Sequence, residues 1–90
     1  MKFEWDESKR RINLRKHGID FADCPMVFAG RCMTIADDRD YDEPRFLTIG
    51  LLGDVVVVIA HTECADRIRI ISARKADRHE RENYFQEIWH

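Results

Sequence analysis

Between Gly30 and Lys75 four stretches read as strands, CMTIAD, RFLTIGLL, VVVVIAHT and RIRIISAR, the third of them apolar through Ala60. A period of two is the mark of a strand with one buried face. Gly53-Asp54 stands between the second and third, and so short a connection predicts an antiparallel hairpin. The run Val55 to Ala60 is apolar at every position. It therefore predicts a strand at the centre of the sheet with both sides covered. In the last strand, strict alternation puts Ile68, Ile70, Ser72 and Arg74 on one face and Arg69, Ile71, Ala73 and Lys75 on the other.

The flanks read differently. KFEWD alternates Phe3 and Trp5 with polar neighbours and predicts a short strand. ESKRRINLRKH is rich in straight-chain helix formers, with Asp6 placed to cap its start and Gly18 to end it. Ile12 and Leu14 are almost its only apolar residues, so it packs by a narrow stripe and leaves the rest for solvent or a partner. Asp20 can cap a second helix, FADCPMVFA, in which Pro25 marks a kink or a late start. Asp77 caps a final helix, Glu80 completes a capping box, and Tyr84, Phe85, Ile88 and Trp89 form the apolar stripe. With no repeat, low-complexity tract or linker, residues 1–90 predict a single small α+β domain: N-terminal helices, an antiparallel sheet, then a C-terminal helix.

Composition changes this picture mainly through charge. The chain is 36% charged, well above the usual quarter, yet its formal net charge is only −2. The cations are gathered rather than scattered. Lys9, Arg10, Arg11, Arg15 and Lys16 lie in one run, and Arg67, Arg69, Arg74, Lys75, Arg78 and Arg81 in another. Between them DDRDYDE concentrates acid. Such blocks predict a surface with a positive and a negative region, although a charge block alone is also what a solvated face looks like.

Other classes find little support. No apolar run approaches the roughly 20 residues that span a bilayer, and MKFEWDESKRR has no apolar core of a signal peptide. Cys24, Cys32 and Cys64 are odd in number and widely spaced, which predicts reduced thiols, a cytoplasmic setting and packing roles. Asp38-x-Asp40-x-Asp42 starts like a calcium loop but has Glu43 where Gly is needed and Ile49 where Glu is needed. HEREN, from His79 to Asn83, lacks the second histidine of a zinc helix, and no phosphate-binding glycine loop is present. No metal and no cofactor is expected.

Two long phrases carry a resemblance. FEWDESKRRINLRKHGIDF and RIRIISARKADRHERENY closely resemble the BrnT family, toxins of type II toxin–antitoxin systems. The early match rests on Phe3, Glu4, Trp5, Asp6, Lys9, Asn13, Lys16, His17, Gly18 and Phe21. The late match rests on Arg69 to Ala76, with Glu80 and Arg81. Phe28, Arg45, Gly50 and Thr62 fit between them, and the acidic loop matches least. The resemblance implies a RelE-like fold and an RNA-cleaving toxin that arrests translation. It also implies a cognate antitoxin that neutralises the toxin and represses the operon, so that DNA is met only through the antitoxin complex. Two positions depart from the family pattern. His61 stands where an aromatic often precedes the central Thr, and Cys64 where an Arg is common, which would weaken this copy or pass the role to Arg67.

Metal-free RNA cleavage uses the ribose 2′-OH as nucleophile on the adjacent phosphate, and charge builds on the non-bridging oxygens. Arginine suits that charge because its planar fork grips phosphate with two parallel hydrogen bonds. A base and an acid must also move protons. The candidates for catalysis are Arg69, Arg74, Lys75, His17, His61 and Glu80. Lys16, Arg45, Arg67, Arg78 and Arg81 are candidates for RNA binding. Each has a plainer reading: Arg74 as a surface salt bridge, His17 as a cation stabilising a helix end, Glu80 as a cap. The alternative for the whole chain is a non-catalytic module that binds nucleic acid or a partner.

Overall fold

The computed structural model describes residues 1–39 and 42–89. The middle of the acidic loop, residues 40 and 41, thus lies outside the described residues. In chain order the elements are β1 (Lys2–Trp5), α1 (Glu7–His17), a 3₁₀ turn (Phe21–Asp23) and α2 (Cys24–Ala29). They continue with β2 (Cys32–Asp37), β3 (Arg45–Leu52), β4 (Val55–Cys64), β5 (Arg67–Lys75) and α3 (Arg78–Ile88). The helix boundaries follow local chemistry. Asp6 accepts from the Ser8 and Lys9 N–H groups, and Gly18, at φ 73°, closes α1 in the left-handed region. Asp77 and Glu80 form the expected reciprocal capping box on α3. Among the described residues no helix is long and apolar enough to cross a membrane.

The sheet has five strands in the order β1-β5-β4-β3-β2. β4 is central, as its double-sided apolarity requires. Val57 and Ile59 pack on one face with Phe21, Cys24, Val27, Ile68 and Ile70 beneath α1 and α2. Val56 and Val58 pack on the other with Ile49, Ala76 and Tyr84 beneath α3. α2 lies close on β3, because a Cβ at Gly50 would come within 2.8 Å of Val27 Cγ1.

Three expectations need correction. The sheet is mixed rather than antiparallel, because β1 pairs parallel with β5, Phe3 opposite Ile68 and Trp5 opposite Ile70. The second helix begins at Cys24, since Asp20 caps only the 3₁₀ turn and Pro25 opens the helix proper. β5 does not alternate strictly. Ala60 pairs with Ser72 but His61 with Ile70, so Ile71 is an extra residue, a β-bulge. The bulge reverses the alternation beyond it. Ala73 joins Ile68 and Ile70 in the core. Arg74 moves to the side of Arg69: it stands opposite Val58, and Arg69 opposite Thr62, two positions on one face of β4.

β1 ends at Trp5, leaving β5 without a neighbouring strand beyond Ile70. Asn13 of α1 fills that gap. Its Nδ2 donates to the Ala73 carbonyl at 2.8 Å, and its Oδ1 accepts from the Ala73 N–H at 3.1 Å. A single buried carboxamide thus does the pairing that an edge strand would otherwise do.

Candidate functional site

α3 covers only part of its face of the sheet. The end nearest the Ala65–Asp66 turn stays open, and the strand register builds a polar row across it. Glu4 stands beside Arg69 and Arg69 beside Thr62. Arg45 precedes Phe46, the partner of His61, and so adjoins Thr62, with Asp37 beyond it. Glu4, Glu43, Thr62, Cys64, Arg67 and Arg69 line a depression here. Arg67 and Arg69 are exposed, and among the described residues neither makes a hydrogen bond or ion pair. Both hang from a strand hydrogen-bonded on each side, so the cations are free while their backbone is fixed.

Arg74 is held differently. Its Nη1 and Nη2 donate to Glu80 Oε1 and Oε2 at 2.7 and 2.8 Å, a two-point pair across the β5–α3 junction. Glu80 Oε1 also accepts from the Asp77 N–H at 2.9 Å. The pair raises the Arg74 pKa and lowers that of Glu80. Arg39 lies near enough to oppose the Arg74 charge and is itself fastened to Asp37 at 2.8 Å. Glu80 is therefore a clamped carboxylate, which suits it to aiming Arg74 and to capping α3 more than to taking a proton near neutrality.

His61 lies inside the protein. Its ring is fully enclosed, 5.1 Å from the Phe28 ring and stacked 6.0 Å from that of Phe46. Nε2 shares a 2.7 Å hydrogen bond with Thr48 Oγ1, which meets Thr34 Oγ1 at 2.7 Å. Burial lowers the His61 pKa, opposed by Glu63, whose carboxylate lies 3.6 Å from Nδ1. Lys16 and His17 gather elsewhere, in a groove between α1 and β5 lined also by Lys9, Ile12, Asn13, Ile71 and Ser72. That groove shares no residue with the Arg67–Arg69 depression. Lys75, opposite Val57, is exposed on the α1 side of β5. Arg78 pairs with Glu82 at 3.0 Å, and Arg81 is exposed on α3.

Of the expected site residues the depression therefore brings together Arg67 and Arg69. Arg45 adjoins Thr62 by register, Arg74 lies on the same face four β4 positions from Arg69's partner, and Lys16, His17, Lys75 and His61 lie outside the depression. The depression also contains Glu4 and Thr62, which the sequence did not mark as site residues. Strand alternation already set Glu4 opposite Phe3 and Trp5. Nothing local announced that its neighbour would be Arg69. The cysteines divide as well. Burial pushes the Cys24 thiol up to about 12 and raises that of Cys32, whereas Cys64 is exposed at the depression instead of packed.

Residues 5–80 match a family model described as "Ribonuclease toxin, BrnT, of type II toxin-antitoxin system". A comparison with curated proteins gave no match. The matched span takes in Asp37, Arg45, Thr62, Arg67, Arg69, Arg74 and Glu80, and begins one residue after Glu4.

Proposed function

The chain belongs to the BrnT family of ribonuclease toxins of type II toxin–antitoxin systems, and from that membership we propose a metal-independent endoribonuclease whose working surface is the open end of the sheet. The observation that carries this reading is the pair of unengaged arginines, Arg67 and Arg69, set by the Ile71 bulge on the same face as Arg74. An RNA strand crossing the depression would place a phosphate against Arg69, with Arg67 on its neighbour. Arg74, held out by Glu80, would meet the charge that builds on the non-bridging oxygens. Fixed cations aimed at developing charge cost no reorganisation when the reaction occurs, and losing one such donor typically costs about 10²–10³ in rate. Arg45 would contribute to backbone binding, as would Arg78 and Arg81 from the start of α3. Lys16 and His17 would meet RNA beyond the cut or the antitoxin.

The mixed sheet with helices on both faces supports a RelE-like fold. In that role the protein would arrest translation, and a cognate antitoxin would cover the cationic face; contact with DNA would come through that complex. Expression of the chain alone, and together with any small open reading frame found beside its gene, tests the proposal. Growth arrest with fragmented RNA is expected from the chain alone, and rescue is expected when both are present. Intact RNA and normal growth with a well-expressed, folded chain would instead favour a binding module.

A further inference from the structure

Cations explain how the open end holds phosphate, but cleavage also needs a group to take the 2′-OH proton. Among the described carboxylates near the open end, Asp38, Asp42 and Asp66 lie in loops, with no strand or helix to fix them. Asp37 is held by Arg39 through two hydrogen bonds. Glu80 is clamped by Arg74 and by the Asp77 N–H. Glu63 points to the opposite face, toward the buried His61 ring. Glu43 lines the depression as well, but it precedes Pro44 in a loop and has no strand to fix it. Glu4 differs from all of these. It sits within β1, in register beside Arg69, and lines the same depression as Arg67, Arg69 and Thr62.

Glu4 is also the best positioned. Neighbouring strands lie about 4.8 Å apart, so the Glu4 and Arg69 side chains leave the sheet side by side. Yet among the described residues Glu4 makes no hydrogen bond or ion pair, and the two do not close on one another. An acid and a base in register that remain apart leave room between them for a polar ligand. The reverse side of β1 locks the strand. Phe3 packs 5.2 Å from Phe28, Trp5 meets Phe21 edge-on at 6.4 Å, and Lys2 N–H donates to the Asp66 carbonyl at 2.8 Å. The backbone that carries the Glu4 carboxylate is thereby fixed, the first requirement of a positioned group.

We propose that Glu4 is the general base of the cleavage reaction, taking the ribose 2′-OH proton while Arg69 beside it holds the adjacent phosphate. This rests on the ribonuclease reading above. The 2′-oxygen forms its bond to phosphorus as the bond from phosphorus to the 5′-oxygen breaks. The electron pair of that bond stays on the 5′-oxygen, which takes a proton from water at the open depression. The products are a 2′,3′-cyclic phosphate and a 5′-hydroxyl, and the proton on Glu4 returns to solvent.

The test measures two quantities on the purified chain: single-turnover cleavage of RNA, and binding of the same sequence with 2′-O-methyl riboses, which lack the nucleophile. For Glu4→Gln, cleavage should fall by about 10²–10⁴, the usual worth of a positioned base. Affinity for the methylated RNA should hold or tighten, because a negative charge beside the phosphate is gone. Glu4→Asp should recover part of the rate, and Glu87→Gln on α3 should match the parent. Cleavage by folded Glu4→Gln at the parental rate, or a loss of rate matched by an equal loss of binding, overturns the role of Glu4 while leaving the ribonuclease intact. No cleavage by the parent overturns both.

Discussion

The Arg74 guanidinium and the Glu80 carboxylate meet through two hydrogen bonds of 2.7 and 2.8 Å, joining the end of β5 to the first turn of α3. The same carboxylate receives the Asp77 N–H. One side chain thus caps the helix and holds Arg74. Glu80→Ala removes half of the capping box and should cost about 1 kcal/mol in urea unfolding. Glu80→Gln still accepts from Asp77 and should cost less. Because folding lowers the Glu80 pKa from 4.5, its stabilising contribution is present above about pH 4.5 and is lost as pH falls through the lower folded value. The Gln variant should therefore lose less stability than the parent over that acid range.

Asn13 should be the most costly polar residue of α1 to remove. Asn13→Ala strands both the N–H and the carbonyl of Ala73 at the unpaired edge of β5, along with the Ile19 carbonyl it also serves. Buried groups left without partners cost about 1–3 kcal/mol, and the denaturant midpoint should shift accordingly. Asn13→Asp should be worse, since a carboxylate cannot donate to the two carbonyls.

His61 gives the fold a pH dependence of its own. Its folded pKa lies below 6.5, so the unfolded chain binds the proton first as pH falls. Unfolding is then favoured, and the stability tied to neutral His61 is full above about pH 6.5 and lost as pH drops through the folded value. Unfolding free energy measured from pH 7.5 down to 5 should decline more steeply for the parent than for His61→Gln, which has nothing to titrate there. An equal decline in both would contradict the enclosed, neutral ring.

Unengaged arginines should reveal themselves through salt. Each phosphate contact to a single strand contributes about 0.7 to the slope of log affinity against log salt. Arg69→Ala should lower that slope by about one such contact, and Arg67→Ala likewise. Arg11→Ala, on α1 over the opposite face, should leave it unchanged. Equal slopes for all three variants would place the RNA elsewhere.

Much of the fold was legible because its signals are local. Alternation marked four of the five strands, the apolar run of β4 announced the central one, and Asp6, Gly18, Asp77 and Glu80 marked helix ends. What escaped depends on distant neighbours. β1 pairs with β5 across more than sixty residues of sequence, by a register that only tertiary packing decides. The bulge at Ile71 leaves no trace in composition, yet it decides whether Arg74 faces with Arg69 or against it. The candidate site was visible in the sequence as residue types and less so as an arrangement. The late arginine run was conspicuous. The engagement of Arg74, the enclosure of His61 and the placement of Glu4 beside Arg69 all required the sheet.

The most direct test of the account is cleavage of RNA by the purified chain in excess chelator, compared with Arg69→Ala/Arg74→Ala shown to be folded by its thermal transition. The account predicts fragments ending in 2′,3′-cyclic phosphate from the parent and a loss of at least about 10² in rate from the double variant. Parental cleavage by the folded double variant, or cleavage abolished by the chelator, would contradict a metal-independent site on the open end of the sheet.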